Sequence, residues 1–276
     1  MLSRIARRWV AGTELDGALG TAKELNRAGL HALIDNLGEH YHAQARVRQA
    51  VAEYQAVIAA IRKERLQADL TIKPTQLGVL LGRQQFQANL GTLAAAAKNA
   101  NVRVWVDMEA HDYLEPTLSA VLSLRPKFTN LAIAIQAMLR SSEMQLVSCL
   151  RQRLAVRLVK GAYAERPEMA YQERREIDAN YAKLMATLFR SKVYFAIATH
   201  DERLIAKAKE LANGNGNFEF QLLYGMKNQL QRRLAAEGYQ VSIYLPYGRD
   251  WQTYVKRRMR QARDTLRLHH FLFNGG

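Results

Sequence analysis

Residues 155–162 read AVRLVKGA, residues 178–191 read DANYAKLMATLFRS, and residues 194–199 read YFAIAT. The first and third segments are short, apolar and rich in branched side chains, which is typical of buried strands. The middle segment repeats its apolar residues at the spacing of an amphipathic helix. A strand, a helix and a second strand in this order predict a βαβ unit whose two strands lie parallel.

The same alternation continues along the chain in both directions. The apolar runs are Leu30–Leu37, Leu70–Lys73, Val102–Met108, Leu131–Ala137, Ala155–Ala162, Tyr194–Thr199, Phe218–Leu223 and Val241–Leu245. The stretches with helical spacing are Arg46–Arg65, Gln84–Asn99, Asp178–Ser191, Glu202–Asn213 and Lys227–Glu237. This pattern predicts an α/β fold, a (β/α)₈ barrel of the TIM type, for which about 250 residues is usual. A doubly wound open sheet is the alternative.

The sequence contains no linker rich in proline, glycine or serine, so we expect a single domain over residues 1–276. Within it we expect N-terminal helices over residues 1–29, the barrel over 30–250, and a helix and tail over 251–276. The first twelve residues, MLSRIARRWVAG, contain arginine and no acidic residue, as transit peptides do. They run without a break into an amphipathic pattern, which predicts the first helix of the mature protein.

Charge is the unusual feature of the composition, because 40 Lys and Arg against 25 Asp and Glu give a net charge of +15. Such a surface attracts nucleic acid, anionic lipid or acidic substrates. The basic residues are spread along the chain among acidic ones, which favours a solvated or membrane-facing surface over nucleic-acid binding. No apolar run reaches the roughly 18–20 residues of a membrane-spanning helix. The single cysteine, Cys149, excludes an internal disulfide and agrees with a reducing compartment.

Several common enzyme motifs are absent from the sequence. There is no G-x-G-x-x-G after the first predicted strand and no G-x-x-x-x-G-K-[ST], so Rossmann dinucleotide binding and P-loop phosphoryl transfer are disfavoured. A metal-dependent hydrolase remains an alternative, since histidine and carboxylate ligands occur near predicted strand ends. Its candidate residues are His40, His42, Lys160, His200 and Asp250. A basic nucleic-acid-binding protein is the other alternative.

Polar residues stand at the end of every predicted strand. They are Gly38-Glu39, Lys73-Pro74-Thr75, Asp107 with Glu109, Gln136, Arg157 with Lys160, Thr199-His200-Asp201, Gln221 with Tyr224-Gly225, and Tyr244 through Gly248. In a barrel these ends would converge on one cavity, where function is expected. Near the C-terminus, Arg257 and Arg258 could bind a carboxylate, because a guanidinium group pairs with a carboxylate through two hydrogen bonds. Glu39 could hold one of them in an ion pair.

Short motifs in a fixed order resemble the proline dehydrogenase family, in particular its short monofunctional bacterial members. The motifs are NLGE (36–39), IKP (72–74), VDME (106–109), IQA (135–137), VRLVKGAY (156–163), ATHD (198–201), FEFQLLYGM (218–226), IYLPYG (243–248), and then Tyr254 with Arg257 and Arg258. Together they span roughly Arg7 to Gln261. The resemblance implies a distorted (β/α)₈ barrel, with a C-terminal helix over its mouth, that binds FAD without a Rossmann fold.

The resemblance also implies an activity and a set of site residues. The family oxidises L-proline to Δ1-pyrroline-5-carboxylate by hydride transfer to flavin N5 and passes the electrons to a membrane quinone. The implied cofactor-binding residues are Gln136, Arg157, Lys160, Gly161, Thr199, His200, Gln221 and Gln261. The implied residues around the substrate are Glu39, Lys73, Asp107, Tyr163, Leu223, Tyr244, Arg257 and Arg258.

Individual roles follow from matching positions in the family. Arg257 and Arg258 would clamp the substrate carboxylate with help from Lys73, and Glu39 would pair with Arg257 to gate the site. Tyr244 would fill the space that the hydroxyl of 4-hydroxyproline needs. At position 261 this chain has glutamine where the family usually has glutamate. The expected location is the cytoplasm, in peripheral contact with the inner face of the bacterial membrane.

Overall fold

Eight parallel strands close into a barrel in the computed structural model, which describes residues 6–214 and 216–259. Each strand pairs with its neighbours in sequence, and β8 pairs back with β1, where Ile34 lies opposite Leu245. The strands are β1 (His31–Asn36), β2 (Ala68–Ile72), β3 (Val104–Val106), β4 (Leu131–Gln136), β5 (Ala155–Val159), β6 (Phe195–Ala198), β7 (Phe218–Leu223) and β8 (Val241–Tyr247). The barrel prediction is confirmed, and the doubly wound open sheet is excluded.

Helices surround the barrel. They are α1 (Leu15–Arg27), α2 (Gln44–Glu64), α3 (Arg83–Asn99), α4 (Leu114–Leu124), α5 (Ser142–Arg151), α6 (Arg174–Arg190), α7 (Glu202–Ala212), α8 (Asn228–Ala236) and α9 (251–259, up to the end of the described residues). Single 3₁₀ turns lie at Ala6–Arg8, Pro74–Gln76, Val79–Leu81 and His111–Tyr113. The five stretches with helical spacing correspond to α2, α3, α6, α7 and α8.

The alternation of side chains along each strand separates two environments. Outward-facing residues such as Ile34, Ile133 and Phe220 pack beneath the helices in the main apolar core. Beneath the mouth, the barrel interior holds Trp105 with small neighbours such as Ala132, together with the buried carboxylate of Asp69, which accepts a hydrogen bond from Trp105. Inward-facing residues nearer the mouth are mostly polar, so the strands supply a platform for a site.

The N-terminal segment differs from the expected continuous helix. Its described part begins with the single turn Ala6–Arg8, and the first α-helix starts only at Leu15. Between them, the backbone bonds to the end of β8: Ala11 N donates to Pro246 O (2.9 Å) and Gly248 N donates to Gly12 O (3.0 Å). Because these groups pair with β8, they are not available for helical hydrogen bonds.

A small apolar cluster holds α9 in place. Trp9 and Val10 pack with Leu37, Tyr254 and Val255, all of them buried. The N-terminal segment therefore contacts α9. Residues of α9 line the cavity at the mouth of the barrel, which places this helix at the mouth. Among the helices that the structure describes, none combines the length and apolar character needed to cross a membrane.

Candidate active site

A cavity of about 310 Å³ opens at the carboxyl ends of the strands, a size within the range of small-molecule sites. Every strand contributes a residue to its lining, directly or from the loop that follows. The predicted site residues that line it are Glu39, Lys73, Asp107, Gln136, Arg157, Lys160, Gly161, Tyr163, Thr199, His200, Gln221, Leu223, Tyr244, Arg257 and Arg258. The remaining one, Gln261, lies outside the described residues.

Lys73 is the centre of the cavity floor. Its Nζ donates to Asp35 (3.1 Å), to Asp107 (3.1 Å) and to the Tyr244 hydroxyl (2.9 Å). An ammonium group has three protons, so these contacts use all of them. Burial disfavours the charge of Lys73, but attraction from Asp35, Tyr244 and Asp107 outweighs it and raises the pKa of Lys73 well above its usual value. Lys73 is therefore a fixed cation, and it must exchange a protein partner to reach a ligand.

Asp35 is a site residue that the sequence analysis missed. It is fully buried behind Lys73, and burial raises its pKa despite the attraction of Lys73. For Asp107, in contrast, the attraction of Lys73 and Arg157 outweighs burial and lowers the pKa. The alternation Leu33-Ile34-Asp35 within an apolar strand was the available signal, because it places Asp35 on the same inward face as Leu33.

Arg157 is held by all three nitrogens of its guanidinium group. Nη1 contacts Asp107 Oδ1 at 2.6 Å, Nη2 donates to Thr71 Oγ1 (3.2 Å), and Nε donates to Gln221 Oε1 (2.5 Å). The guanidinium carbon also lies 4.9 Å from the ring centre of Trp105. Arg157 is therefore a rigid, buried cation beside Lys73 at the floor.

Two arginines of α9 form the roof of the cavity. Arg257 forms an ion pair with Glu39, and its guanidinium lies 5.6 Å from the ring centre of Tyr163. Arg258 is only 9% exposed, and its buried Nε has no hydrogen-bond partner in the described part of the chain. Within residues 6–214 and 216–259, no carboxylate forms an ion pair with Arg258. A buried, unpaired cation is costly, so Arg258 is prepared to bind an anion in the cavity.

His200 lies on the rim as a neutral imidazole. Burial and the nearby charges of Arg258 and Lys227 lower its pKa to about 4. Its Nε2 accepts a hydrogen bond from Leu223 N (3.1 Å), so the ring proton resides on Nδ1. His200 can therefore donate a hydrogen bond without adding charge.

Lys160, the other predicted cofactor-binding residue on this part of the rim, is paired with two carboxylates. Its Nζ contacts Asp178 Oδ1 at 2.5 Å and Asp201 Oδ2 at 2.9 Å. Asp201 also caps the start of α7, where its side chain accepts from Arg203 N. The ammonium group is thus anchored where β5 and β6 end.

Gln136 and Gly161 form a polar wall of the cavity. The Gln136 amide donates to Glu109 O (2.8 Å), whereas its buried Oε1 accepts no hydrogen bond from any described residue. Gly161 has a φ of 110°, and a Cβ added there would lie 2.4 Å from Met138 Sδ and 3.0 Å from Gln136 Oε1. Only glycine fits this position, and the wall retains an open hydrogen-bond acceptor.

Glu109 ties together the loops after β1, β2 and β3. Its carboxylate accepts from Thr75 N (2.8 Å) and from Thr75 Oγ1 (2.7 Å), and that hydroxyl accepts from His40 N (3.0 Å). Burial raises the pKa of Glu109 to about 7, against the opposing effect of the Thr75 hydrogen bonds. The link orders the loop that carries Glu39.

The residues of the metal-hydrolase alternative do not come together. Asp250 pairs with Arg46 at 3.2 Å, and Lys160 is occupied by its carboxylate partners. Over the part of the chain that the structure describes, no group of three or more His, Cys, Asp or Glu side chains is placed to hold a metal ion. The geometry gives this alternative no support.

Known proteins resemble this chain over most of its length. A family model described as proline dehydrogenase matches residues 18–264. "Proline dehydrogenase 1" of Bacillus subtilis is 36% identical over 258 residues, which cover 92% of this chain and 85% of that protein. "Proline dehydrogenase" of Deinococcus radiodurans is 34% identical over 269 residues, with coverage of 94% and 86%.

A solved structure gives the same fold. Proline utilization A from Bdellovibrio bacteriovorus, inactivated by N-propargylglycine, superposes with a TM-score of 0.86 at 23% identity. The match covers 92% of this chain but only 32% of that longer protein, so it speaks for the barrel alone. The family model and the two bacterial relatives carry the assignment further, and the chain belongs to the proline dehydrogenase family.

Proposed function

We propose that this protein is an FAD-dependent proline dehydrogenase, which oxidises L-proline to Δ1-pyrroline-5-carboxylate. Membership of the family supports the reaction. The observation that carries the proposal is Arg258, a buried guanidinium in the cavity whose Nε has no hydrogen-bond partner among the residues that the structure describes. A carboxylate is the anion that fits a guanidinium best, because two parallel hydrogen bonds form. Amino-acid substrates bring such a carboxylate.

The roof and the floor would orient the substrate ring. Arg257 and Arg258 would hold its carboxylate from α9, while Tyr244, bonded to Lys73 at the floor, lines the same cavity. The Tyr244 hydroxyl donates to Asp107 Oδ2 (2.8 Å) and accepts from Lys73, so its ring cannot easily turn aside. A fixed tyrosine ring leaves little space for a ring hydroxyl, which favours proline over 4-hydroxyproline. Holding a reactant in one pose contributes much of the rate of such a reaction.

The polar wall fits a flavin. Gln136 Oε1 is an orphaned acceptor for a ring N–H, and Arg157 is a rigid cation for a ring that gains electron density. The residues that would hold FAD are Gln136, Arg157, Lys160, Gly161, Thr199, His200 and Gln221. When bound, the flavin would supply the acceptor for the hydride that leaves the carbon next to the substrate nitrogen.

The substrate nitrogen must also lose a proton during the oxidation. The floor holds Lys73 protonated and Asp107 ionised, because the two stabilise each other's charge. Neither group is then suited to take up the proton near neutral pH, and the amine would lose it to solvent before it is enclosed. Activity should therefore rise as the pH approaches the pKa of the substrate amine.

We further propose that the electrons pass to a membrane quinone, with the protein in the cytoplasm and in peripheral contact with the inner face of the bacterial membrane. The net charge of +15 supports this, because anionic lipid attracts basic residues near its surface by about 1 kcal/mol each. Nucleic-acid binding, the alternative for a basic chain, has no comparable support from the family match.

The visible spectrum of the purified protein tests the proposal, recorded before and after anaerobic addition of L-proline. We expect flavin absorbance that bleaches with L-proline and bleaches far more slowly with 4-hydroxyproline. If the absorbance of the oxidised flavin stayed unchanged after addition of proline, proline would not be the substrate. A protein that stays colourless after incubation with FAD would contradict the cofactor.

A further inference from the structure

Glu219 lies inside the barrel, one inward position deeper than Gln221 on the same strand. It is 1% exposed and does not line the cavity, whereas Gln221 does. Glu219 Oε1 accepts a hydrogen bond from Gln221 Nε2 (2.6 Å). Its other oxygen accepts from Ser242 Oγ and from Gln240 Nε2 (3.2 Å).

The contact with Glu219 fixes which way the Gln221 amide faces. Because the NH₂ group of Gln221 points to Glu219, its oxygen points to Arg157 and accepts from Nε at 2.5 Å. A reversed amide would place its NH₂ group against the N–H of the guanidinium, and two donors cannot bond to each other. One of the three contacts that orient Arg157 at the floor, the one at Nε, thus depends on a carboxylate that Arg157 does not touch.

A carboxylate is a costly choice for this position. The three donors that reach Glu219 are neutral groups, and burial raises the pKa of Glu219 against the effect of the Ser242 and Gln221 hydrogen bonds. Buried ionisable groups that are not directly paired with a cation generally destabilise a fold, and here the nearby His31 offsets only part of the effect of burial on the pKa of Glu219. An ionised Glu219 differs from a neutral amide in one respect, because both of its oxygens accept hydrogen bonds and neither donates one.

We propose that Glu219 is a positioning residue for the reaction, acting through the Gln221 amide to hold Arg157 against the flavin. This inference rests on the proposed function for its catalytic consequence, but the contact itself exists in the protein regardless of substrate. Glu219 touches neither substrate nor cofactor in this role. Its loss should slow the chemical step and leave substrate binding by Arg257 and Arg258 intact.

Exchanging the two side chains provides the test. In Glu219→Gln, the new amide cannot accept from Gln221 and from Gln240 at once, so the Gln221 amide or the deeper contacts must rearrange. In Gln221→Glu, two carboxyl groups face each other. The double variant Glu219→Gln/Gln221→Glu places an amide NH₂ against a carboxylate and restores an acceptor for Arg157. Such a double-variant cycle isolates the coupling between the two positions.

The limiting rate of flavin bleaching by proline is the first measurement. We expect each single variant to lower it by about tenfold, the effect of one misplaced hydrogen bond, with KM for proline little changed. The double variant should recover most of the rate. Asn130→Ala is the control, because it removes side-chain hydrogen bonds to Ala94 O (3.0 Å) and Val102 O (3.1 Å) just before the start of β4, at the end of the barrel opposite the cavity. It should lower the thermal midpoint and leave the rate nearly unchanged.

The second measurement is the solvent exchange of the Arg157 Nε–H, followed by NMR in the full chain as purified and identified by its loss in Arg157→Lys. We expect slow exchange in the wild type, faster exchange in both single variants and recovery in the double variant. This measurement needs no turnover, so it tests the contact even if proline is not the substrate. Unchanged exchange and rate in Glu219→Gln would overturn the inference, and so would a double variant no better than the singles. If Glu219→Gln does not fold, the comparison of Gln221→Glu with the double variant decides in the same way.

Discussion

Charges in the cavity are balanced at the floor and unbalanced at the roof. At the floor, the cations Lys73 and Arg157 face the anions Asp35 and Asp107. At the roof, α9 supplies two arginines, and the carboxylate of Glu39 pairs with one of them, Arg257. Among the residues that the structure describes, Arg258 has no carboxylate partner. An anionic group of a ligand is therefore drawn to α9 and not to the deeper lysine, whose protons are already engaged.

Replacing Arg258 tests this difference between roof and floor. Arg258→Met keeps most of the side-chain length but removes the charge, and it should raise KM for proline by roughly 10- to 150-fold, since a charge-assisted hydrogen bond is worth about 1.5–3 kcal/mol. The flavin content should not change. Arg62→Met, a substitution on the exposed face of α2, is the control and should leave KM as it is. An unchanged KM in Arg258→Met would remove this residue from the substrate site.

Glu109 should make stability depend on pH in an unusual direction. Its pKa is about 7 in the folded protein against an ordinary 4.5, so between these values the folded state binds more protons than the unfolded state. The free energy of unfolding therefore falls as pH rises through 7, by at most about 3 kcal/mol. Glu109→Gln imitates the protonated acid and does not titrate.

Urea denaturation at pH 5.5 and pH 8.5 measures the effect. We expect the wild type to lose stability relative to Glu109→Gln as the pH is raised, because the buried carboxylate becomes charged only in the wild type. Equal pH dependence of the two proteins would show that Glu109 is not the titrating group.

At the scale of elements, the candidate site is built partly by the strands and partly by the loops and α9. The loop after β5 must turn at Gly161 with a positive φ, directly against Met138 and the orphaned oxygen of Gln136. The N-terminal segment packs Trp9 against α9, which carries the roof arginines. The rigid barrel thus supplies the floor, while segments distant in sequence close the site above it.

Two glycine substitutions compare a position where a side chain would clash with one where it would not. Gly161→Ala should destabilise the fold by about 1–3 kcal/mol and reduce flavin retention, because the methyl group displaces Met138 and Gln136. Gly20→Ala is the matched control, since Gly20 lies in α1 with nothing near the added methyl group. It should stabilise the protein by roughly 0.4–1 kcal/mol. Flavin content and thermal midpoint are the measurements, and full flavin retention in Gly161→Ala would contradict the account of this wall.

At the scale of the whole molecule, the net charge of +15 determines how the protein meets surfaces. We expect it to sediment with vesicles that contain anionic lipid and to remain free with neutral vesicles, because electrostatic attraction is the main contribution. Added salt should release it, since the Debye length falls from about 10 Å at 0.1 M to about 3 Å at 1 M. Equal binding to neutral and anionic vesicles would contradict the proposed peripheral contact.

The sequence alone determined the fold of this chain and most of the candidate residues. Eight apolar runs and the helical spacing between them predicted the barrel, because a strand that is buried beneath helices consists mostly of apolar residues. The polar strand ends then predicted where the residues meet, and the structure does bring together Lys73, Asp107, Gln136 and Tyr244. The helical spacing likewise located α2 and α3 within a few residues, because the apolar face of a helix appears in the sequence as apolar residues three or four positions apart.

Only the tertiary structure decided which groups are partners and which are left without one. Asp35 cannot be told from an ordinary strand residue until Lys73 is placed beside it, and the role proposed for Glu219 depends on its contact with Gln221 and on that of Gln221 with Arg157. The N-terminal segment also escaped prediction, since its hydrogen bonds go to the end of β8, more than 200 residues away. Local sequence records the period of an element and the polarity of its faces. Pairing and charge balance depend on contacts between residues distant along the chain, and folding alone creates those contacts.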